Sequence, residues 1–245
     1  MPCIGIACDV RKENVSFLEC SVCDRCNKFP SILKKKFLFP SIRHIPPKIS
    51  VTLLTECQRQ AYLKLTENYY IGRKGIISTQ IGSAIHEYVG PMSDIYEKFI
   101  SWKTPAGNTC IGYLDAISIS KRILYDIKTI SHGWYIRDKG AKKRDMLQLQ
   151  IYATILKQMY GVELAGMRLV YVGLGDKDCM EIEVPYEDKT EFINQRTDEL
   201  QGYLDRKEIP KGNPIWDWEC QYCPFAEKCP DKKTEKIDIT AIGEE

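Results

Sequence analysis

The segment Gly112 to Ile130, GYLDAISISKRILYDIKTI, constrains this chain more than any other stretch. Two β-rich runs, Gly112 to Ile119 and Ile123 to Ile130, flank a short connection, a pattern that predicts a hairpin. With Ser120 and Lys121 at the centre, Asp115 and Asp126 are equidistant from the turn and oppose each other. Directly opposed residues carry Cβ atoms about 4.5–5.5 Å apart. Lys128, two residues past Asp126, shares its face. Two carboxylates and an ammonium thus converge on one surface, with the Ile127 carbonyl at the same edge. Close carboxylates repel, and burying them unpaired is costly. A divalent cation relieves that cost, and hard oxygen ligands suit Mg²⁺ or Mn²⁺. An ordinary hairpin with a surface Asp–Lys pair would use the same residues.

Cysteine is the second constraint, with eleven in the chain. No apolar run approaches the roughly 20 residues of a membrane span, and the N-terminus lacks the apolar core of a signal peptide. The expectation is a cytoplasmic protein, where clustered cysteines point to metal rather than disulfides. Residues 1–29 carry Cys3, Cys8, Cys20, Cys23 and Cys26 around the run CSVCDRC, with little apolar content. They read as a small Cys-rich module that needs a metal to fold, with Cys8, Cys20, Cys23 and Cys26 as ligands and zinc as the favoured ion. An iron–sulfur centre is the rival, and a reduced leader with spare thiols a third reading. Near the other end, Cys220-x2-Cys223-x5-Cys229 supplies three thiolates and needs a fourth, from the leader or from Cys57. Cys110 and Cys179 stand alone and read as small buried residues.

Between these clusters lie the ingredients of one sizeable core, since 44% of residues are hydrophobic. Lys and Arg number 35 against 33 acids, so any nucleic-acid affinity must come from local clusters such as those near Lys121 and Lys142. Residues 30–48, with Pro30, Pro40, Pro46, Pro47 and a lysine run at 34–36, read as a linker. Helices are predicted from Ser50 through SVTLLTECQRQAYLKL, over Ser78 to Val89 with His86 inside, and over Asp145 to Tyr160. Gln148 and Tyr152 share a face of the last. Strands MRLVYVGL and CMEIEVPY and a surface helix from Glu187 to Lys207 follow, with a tail at 231–245. His86 on its helix is either structural or, if that helix packs beside the acidic hairpin, a metal ligand.

The ordered set His86, Gly112-x2-Asp115, Asp126-x-Lys128 and Gln148-x3-Tyr152 resembles the RecB-type branch of PD-(D/E)xK nucleases. Cys57 with Cys220, Cys223 and Cys229 makes the chain similar to the iron–sulfur members of that branch, and in length and layout to the CRISPR-associated RecB-like exonucleases. The resemblance runs from about Ile49 to Pro230, within a nuclease domain drawn at 49–230. It implies an α/β fold with a mixed central sheet flanked by helices, whose ends are joined by a [4Fe–4S] cluster on the four cysteines. It further implies Mg- or Mn-dependent exonuclease action on single-stranded DNA, often from a 5′ end, that trims fragments for a CRISPR integrase. His86, Asp115, Asp126 and the Ile127 carbonyl would hold the metal, Lys128 would serve the attacking water, and Gln148 and Tyr152 would meet the strand or brace Lys128. Trp134 and Tyr135 could stack bases. A non-catalytic iron–sulfur DNA-binding adaptor, or a nuclease of recombination or viral replication, remains as an alternative. Asp126 stands where many members have Glu, no proline precedes the first acid, and residues 1–29 lie outside the pattern.

Overall fold

The computed structural model describes residues 3–23 and 48–231. Cys26, most of the linker, its lysine run and the tail from 232 lie outside the described residues. The main sheet has five strands in the order β4-β5-β6-β7-β8. These are β4 (Ile95–Lys103), β5 (Thr109–Ser118), β6 (Ile123–Ile130), β7 (Gly166–Gly173) and β8 (Cys179–Glu183). β6 and β7 run parallel, and the other neighbours are antiparallel. The mixed sheet flanked by helices is the fold that the sequence predicts, although β4 is a strand the sequence reading does not contain.

The parallel step from β6 to β7 requires a crossover, and two helices provide it: α5 (Trp134–Lys139) and α6 (Lys143–Tyr160). Helix α6 buries Leu149, Ile151, Tyr152, Ala153, Ile155 and Leu156 and ends where Gly161 takes a left-handed conformation at φ 65°. The helix α7 (Thr190–Arg206) lies against the same core through Ile193, Thr197 and Leu200, so it is less a surface helix than its charge suggests. The helix predicted from Ser50 is two: α2 (Val51–Leu54) and α3 (Gln58–Thr66). They part at Thr55–Cys57, which places Cys57 at the N-cap of α3 and not within a helix. Ser50 occupies the N-cap of α2 without a side-chain capping bond.

The first residues have an apolar core that a polar leader would lack. Strands β1 (Cys3–Cys8) and β2 (Glu13–Ser16) form a hairpin, and β1 also pairs in parallel with β3 (Tyr69–Gly72). A capping box on Ser16 and Glu19 opens α1 (Phe17–Val22). Ile6, Val15 and Phe17 bury together with Ile76 of α4 (Arg73–Val89), and Cys8 and Cys20 pack against this small core. The sequence pattern hides that core because its fourth member is about sixty residues away. Cys179, expected to be buried, is exposed, whereas Cys110 is buried and its thiol is pushed up to about 12 by desolvation. No described helix is long and apolar enough to cross a membrane.

Ile76→Ala should remove the keystone between the N-terminal sheet and α4. The expected cost is about 2–4 kcal/mol, read as lost hydrogen-exchange protection of the Ile6 and Val15 amides. Unchanged protection would mean that the small core does not hold the two together.

Candidate active site

The hairpin between β5 and β6 has the register that the sequence predicts: Ser118 faces Ile123, Ile117 faces Leu124, and Ala116 faces Tyr125. The ladder stops one step short of Asp115 and Asp126. There β5 stays with β4 down to Thr109, while β6 continues beside β7 to Ile130, so the sheet forks. At the fork the Ile127 amide, deprived of a strand partner, donates to Asp115 Oδ2 at 2.7 Å. The released edge of β5 is taken by the entry to α2, where Ile111 N–H donates to the Ile49 carbonyl at 2.9 Å.

Helix α4 lies along β6, close enough that a Cβ on Gly82 would reach within 3.4 Å of Thr129 Oγ1. One turn on, His86 Nε2 donates to the Ile127 carbonyl at 2.9 Å and Nδ1 stands 3.3 Å from Asp115 Oδ1. Both ring nitrogens thus face acceptors. The bond to Asp115 raises the pKa of His86, with burial opposing it. Asp126 is 1% exposed. Lys128 Nζ approaches it at 2.8 Å, yet Oδ2 receives no well-directed hydrogen bond. Burial raises the pKa of Asp126, and Lys128 offsets this only in part. For Lys128, burial works against the charge, but Asp126 and Asp115 more than reverse it, so the ammonium is held protonated. The site therefore carries a strained charge balance: a carboxyl that resists ionising beside a cation that needs it ionised.

Residues of α6 close the site from another side. Gln148 Nε2 donates to Tyr152 Oη at 3.1 Å, and the buried Tyr152 ring lies over Gly112. A Cβ at Gly112 would stand 2.7 Å from that ring, which explains the glycine three residues ahead of Asp115. Three residues to which the sequence reading gives no site role belong here. Asp145 lies on the Gln148–Tyr152 face at spacings of three and seven, and accepts from Tyr171 Oη at 2.8 Å. Tyr171 is the β7 neighbour of Lys128. Helical spacing from Gln148 could have found Asp145; nothing local marks Tyr171. Glu97 is the other addition. It sits on β4 between the pairs Tyr96–Ala116 and Lys98–Leu114, hence across from Asp115, with φ 48° and its carboxylate 3.9 Å from His86 Nδ1. A non-glycine residue at positive φ inside a strand is strained.

The donors present suit a hard divalent cation. Asp115 and Asp126 oxygens and the Ile127 carbonyl are its ordinary ligands, and the imidazole of His86 favours a transition ion such as Mn²⁺ over Mg²⁺. Among the described residues, however, no three His, Cys, Asp or Glu side chains form a ready-made ion-holding group. His86 is turned onto Ile127 and Asp115, and Lys128 onto Asp126, so the donors are satisfied in pairs. A metal would have to displace a proton from His86.

The second cysteine cluster also assembles. Cys57, Cys220, Cys223 and Cys229 line one cleft with Leu63, Pro214 and Phe225. Burial raises the Cys223 thiol, with Cys57 and Cys229 adding to the effect. The loop is pinned by buried Glu219, which accepts from the amides of Cys57 at 2.8 Å, Ile215 at 2.6 Å and Trp216 at 3.1 Å. The adjoining Glu56, also buried, binds Lys64 and Arg144, each at 2.7 Å. Arg144 is thereby removed from the basic cluster in which the sequence places it. Sulfur donors from two distant segments in an apolar-walled cleft fit a soft-metal or iron–sulfur group.

Lys128→Ala would leave Asp126 buried without its counter-ion. Removing one partner of a fully buried pair costs roughly 3–5 kcal/mol; because Lys128 keeps 22% of its side chain exposed, about 2–3 kcal/mol is expected in metal-free buffer. Mn²⁺ should return part of that loss in a thermal melt. An unaltered melting curve would contradict the pairing.

Comparison with known proteins agrees with this geometry. A family model described as the PD-(D/E)XK nuclease superfamily matches residues 96–230. No curated protein matches the chain. Among solved structures, that of SSO0001 superposes with a TM-score of 0.59 at 22% identity, covering 83% of this chain and 96% of that one. At that identity the likeness speaks for the fold alone. The family match spans more than half of the chain and includes the fork, both carboxylates and Lys128: the chain belongs to the PD-(D/E)XK nuclease superfamily.

Proposed function

We propose that the chain is a Mg- or Mn-dependent exonuclease acting on single-stranded DNA from a 5′ end. The observation that carries this reading is the convergence of His86, Asp115, Asp126 and Lys128 on the Ile127 peptide at the fork. When bound, the metal supplies Lewis-acid polarisation of the phosphate and eases ionisation of water. His86, Asp115, Asp126 and the Ile127 carbonyl would hold it. Lys128 orients the attacking water and neutralises charge that develops on the phosphate. Asp145 and Tyr171 keep the wall beside Lys128 in place, and Gln148 steadies Tyr152. Trp134 and Tyr135, 38% and 41% exposed just beyond β6, are placed to meet bases of the strand, with Lys142 beside Tyr135. The context we favour is the trimming of DNA fragments for a CRISPR integrase, in line with the resemblance of the ordered motifs.

In the same reading, Cys57, Cys220, Cys223 and Cys229 hold a [4Fe–4S] cluster. Its chemistry there is structural: four thiolates from distant segments become one cross-link. A four-iron cluster keeps its thiolates farther apart than a single ion does, which suits cysteines that share a cleft without forming a single-ion site. In the N-terminal segment, Cys8 and Cys20 abut the same small core, and with Cys23 and Cys26 they are our candidates for a zinc ion.

Asp115→Ala and Lys128→Ala should each abolish Mn²⁺-dependent degradation of labelled single-stranded DNA while far-UV circular dichroism stays native. Wild-type turnover in either variant would remove the assignment. Anaerobically purified protein should be brown, and Cys57→Ala should lose most of its iron; full iron content in that variant would place the fourth ligand elsewhere. Cys20→Ser with Cys23→Ser should lower zinc by about one ion per chain and leave the colour intact, whereas loss of iron instead would show the two cysteine sets to be mispaired.

A further inference from the structure

The face of β4 and β5 leading up to Asp115 carries an aromatic pair that the hydrolytic machinery does not use. Phe99 and Tyr113 are directly opposed in the β4–β5 ladder, with ring centroids 5.5 Å apart at an interplanar angle of 67°. Phe99 is 45% exposed, on a strand that forms the edge of the described sheet. Tyr113 is two residues from Asp115 on β5, so both point to the same face. Two residues of strand span about 6.6–6.8 Å, which sets the rings beside the carboxylate without crowding it. On the far side of Asp115, β5 ends at a turn with exposed Lys121 and Arg122. An exposed aromatic pair, an acidic centre and a cationic turn thus follow one another along the β4–β5 ribbon.

We propose that the exposed Phe99 ring, buttressed edge-to-face by Tyr113, is a platform on which an unpaired base stacks, next to the phosphate facing Asp115. The proposal rests on the nuclease reading above and deepens it by naming what the substrate must offer: an accessible nucleobase face, which a duplex does not present at this position. Stacking is indifferent to base identity because every base has a π-face, so the platform selects single strands without selecting sequence. A cross-strand aromatic pair also steadies a hairpin. That role would change stability and would leave untouched any dependence of binding on the presence of bases.

The test is fluorescence anisotropy in metal-free buffer with the full chain, comparing a thymidine dodecamer with the same backbone bearing abasic positions. Wild type should bind the abasic strand more weakly by about tenfold. Phe99→Ala should bind the thymidine strand about tenfold more weakly and discriminate less, keeping only the share that Trp134 and Tyr135 contribute. Phe99→Trp should restore both, and Phe99→Leu, which keeps apolar bulk, should behave like alanine and so excludes a folding defect. A wild type indifferent to abasic positions, or a Phe99→Ala chain that discriminates as strongly as wild type, would overturn the proposal. A wild type that discriminates but never cleaves in Mn²⁺ would sink the nuclease reading and leave the platform standing.

Discussion

The hydrogen bond from the Ile127 amide to Asp115 Oδ2 is the contact on which the rest of the site depends. It forms where two strands that are paired near their turn separate, and it substitutes a side-chain acceptor for a backbone one. A buried amide without a partner costs about 1–3 kcal/mol, so the fork is tolerable only because a carboxylate stands there. The same bond fixes Asp115, which in turn sets His86 and leaves the Ile127 carbonyl facing the helix. The acid proposed to hold the metal is thus the acid that lets the strands open.

Around that point the structure accumulates costs that a simple core would avoid. Asp126 is buried with one oxygen poorly satisfied, Glu97 has a strained backbone, and Gly112 gives up a side chain to admit Tyr152. Each departs from what is locally favourable, and the three surround one small volume. Sites where local preference and global fold disagree are where function concentrates. The cysteine cleft has a different character: its two buried glutamates have their contacts met, by backbone amides at Glu219 and by Lys64 and Arg144 at Glu56.

The register of the central hairpin was legible because it depends on a two-residue alternation and a turn centre, both local. His86, Gln148 and Tyr152 were legible as residues on helix faces, but only the packed fold brings those faces to β6 and Gly112. What escaped depended on distant partners. β1 and β2 lack an obvious core until Ile76 is added, and Tyr171 gains its meaning from a parallel register with Lys128. The break at Thr55–Cys57 was hidden because a helical pattern of apolar residues runs straight through it. It follows from tertiary demands: Arg196 donates to the Leu54 and Glu56 carbonyls and Trp216 Nε1 to that of Thr55, bonds that turn the backbone away from its own helix.

The bond between Cys57 and Glu219 joins residues 162 positions apart. During synthesis the amide of Cys57 must wait until Glu219 is made before its acceptor exists, and the three other thiols of the cleft emerge with that acceptor. The entropic cost of closing so long a loop grows only as the logarithm of its length, so the delay is a matter of order more than of energy. Everything that builds the fork, from α4 through β7, can already be in place when the cleft is still half made. The cleft accordingly closes after the fork, at a point where Cys57 and its distant loop are either joined or left open to proteolysis.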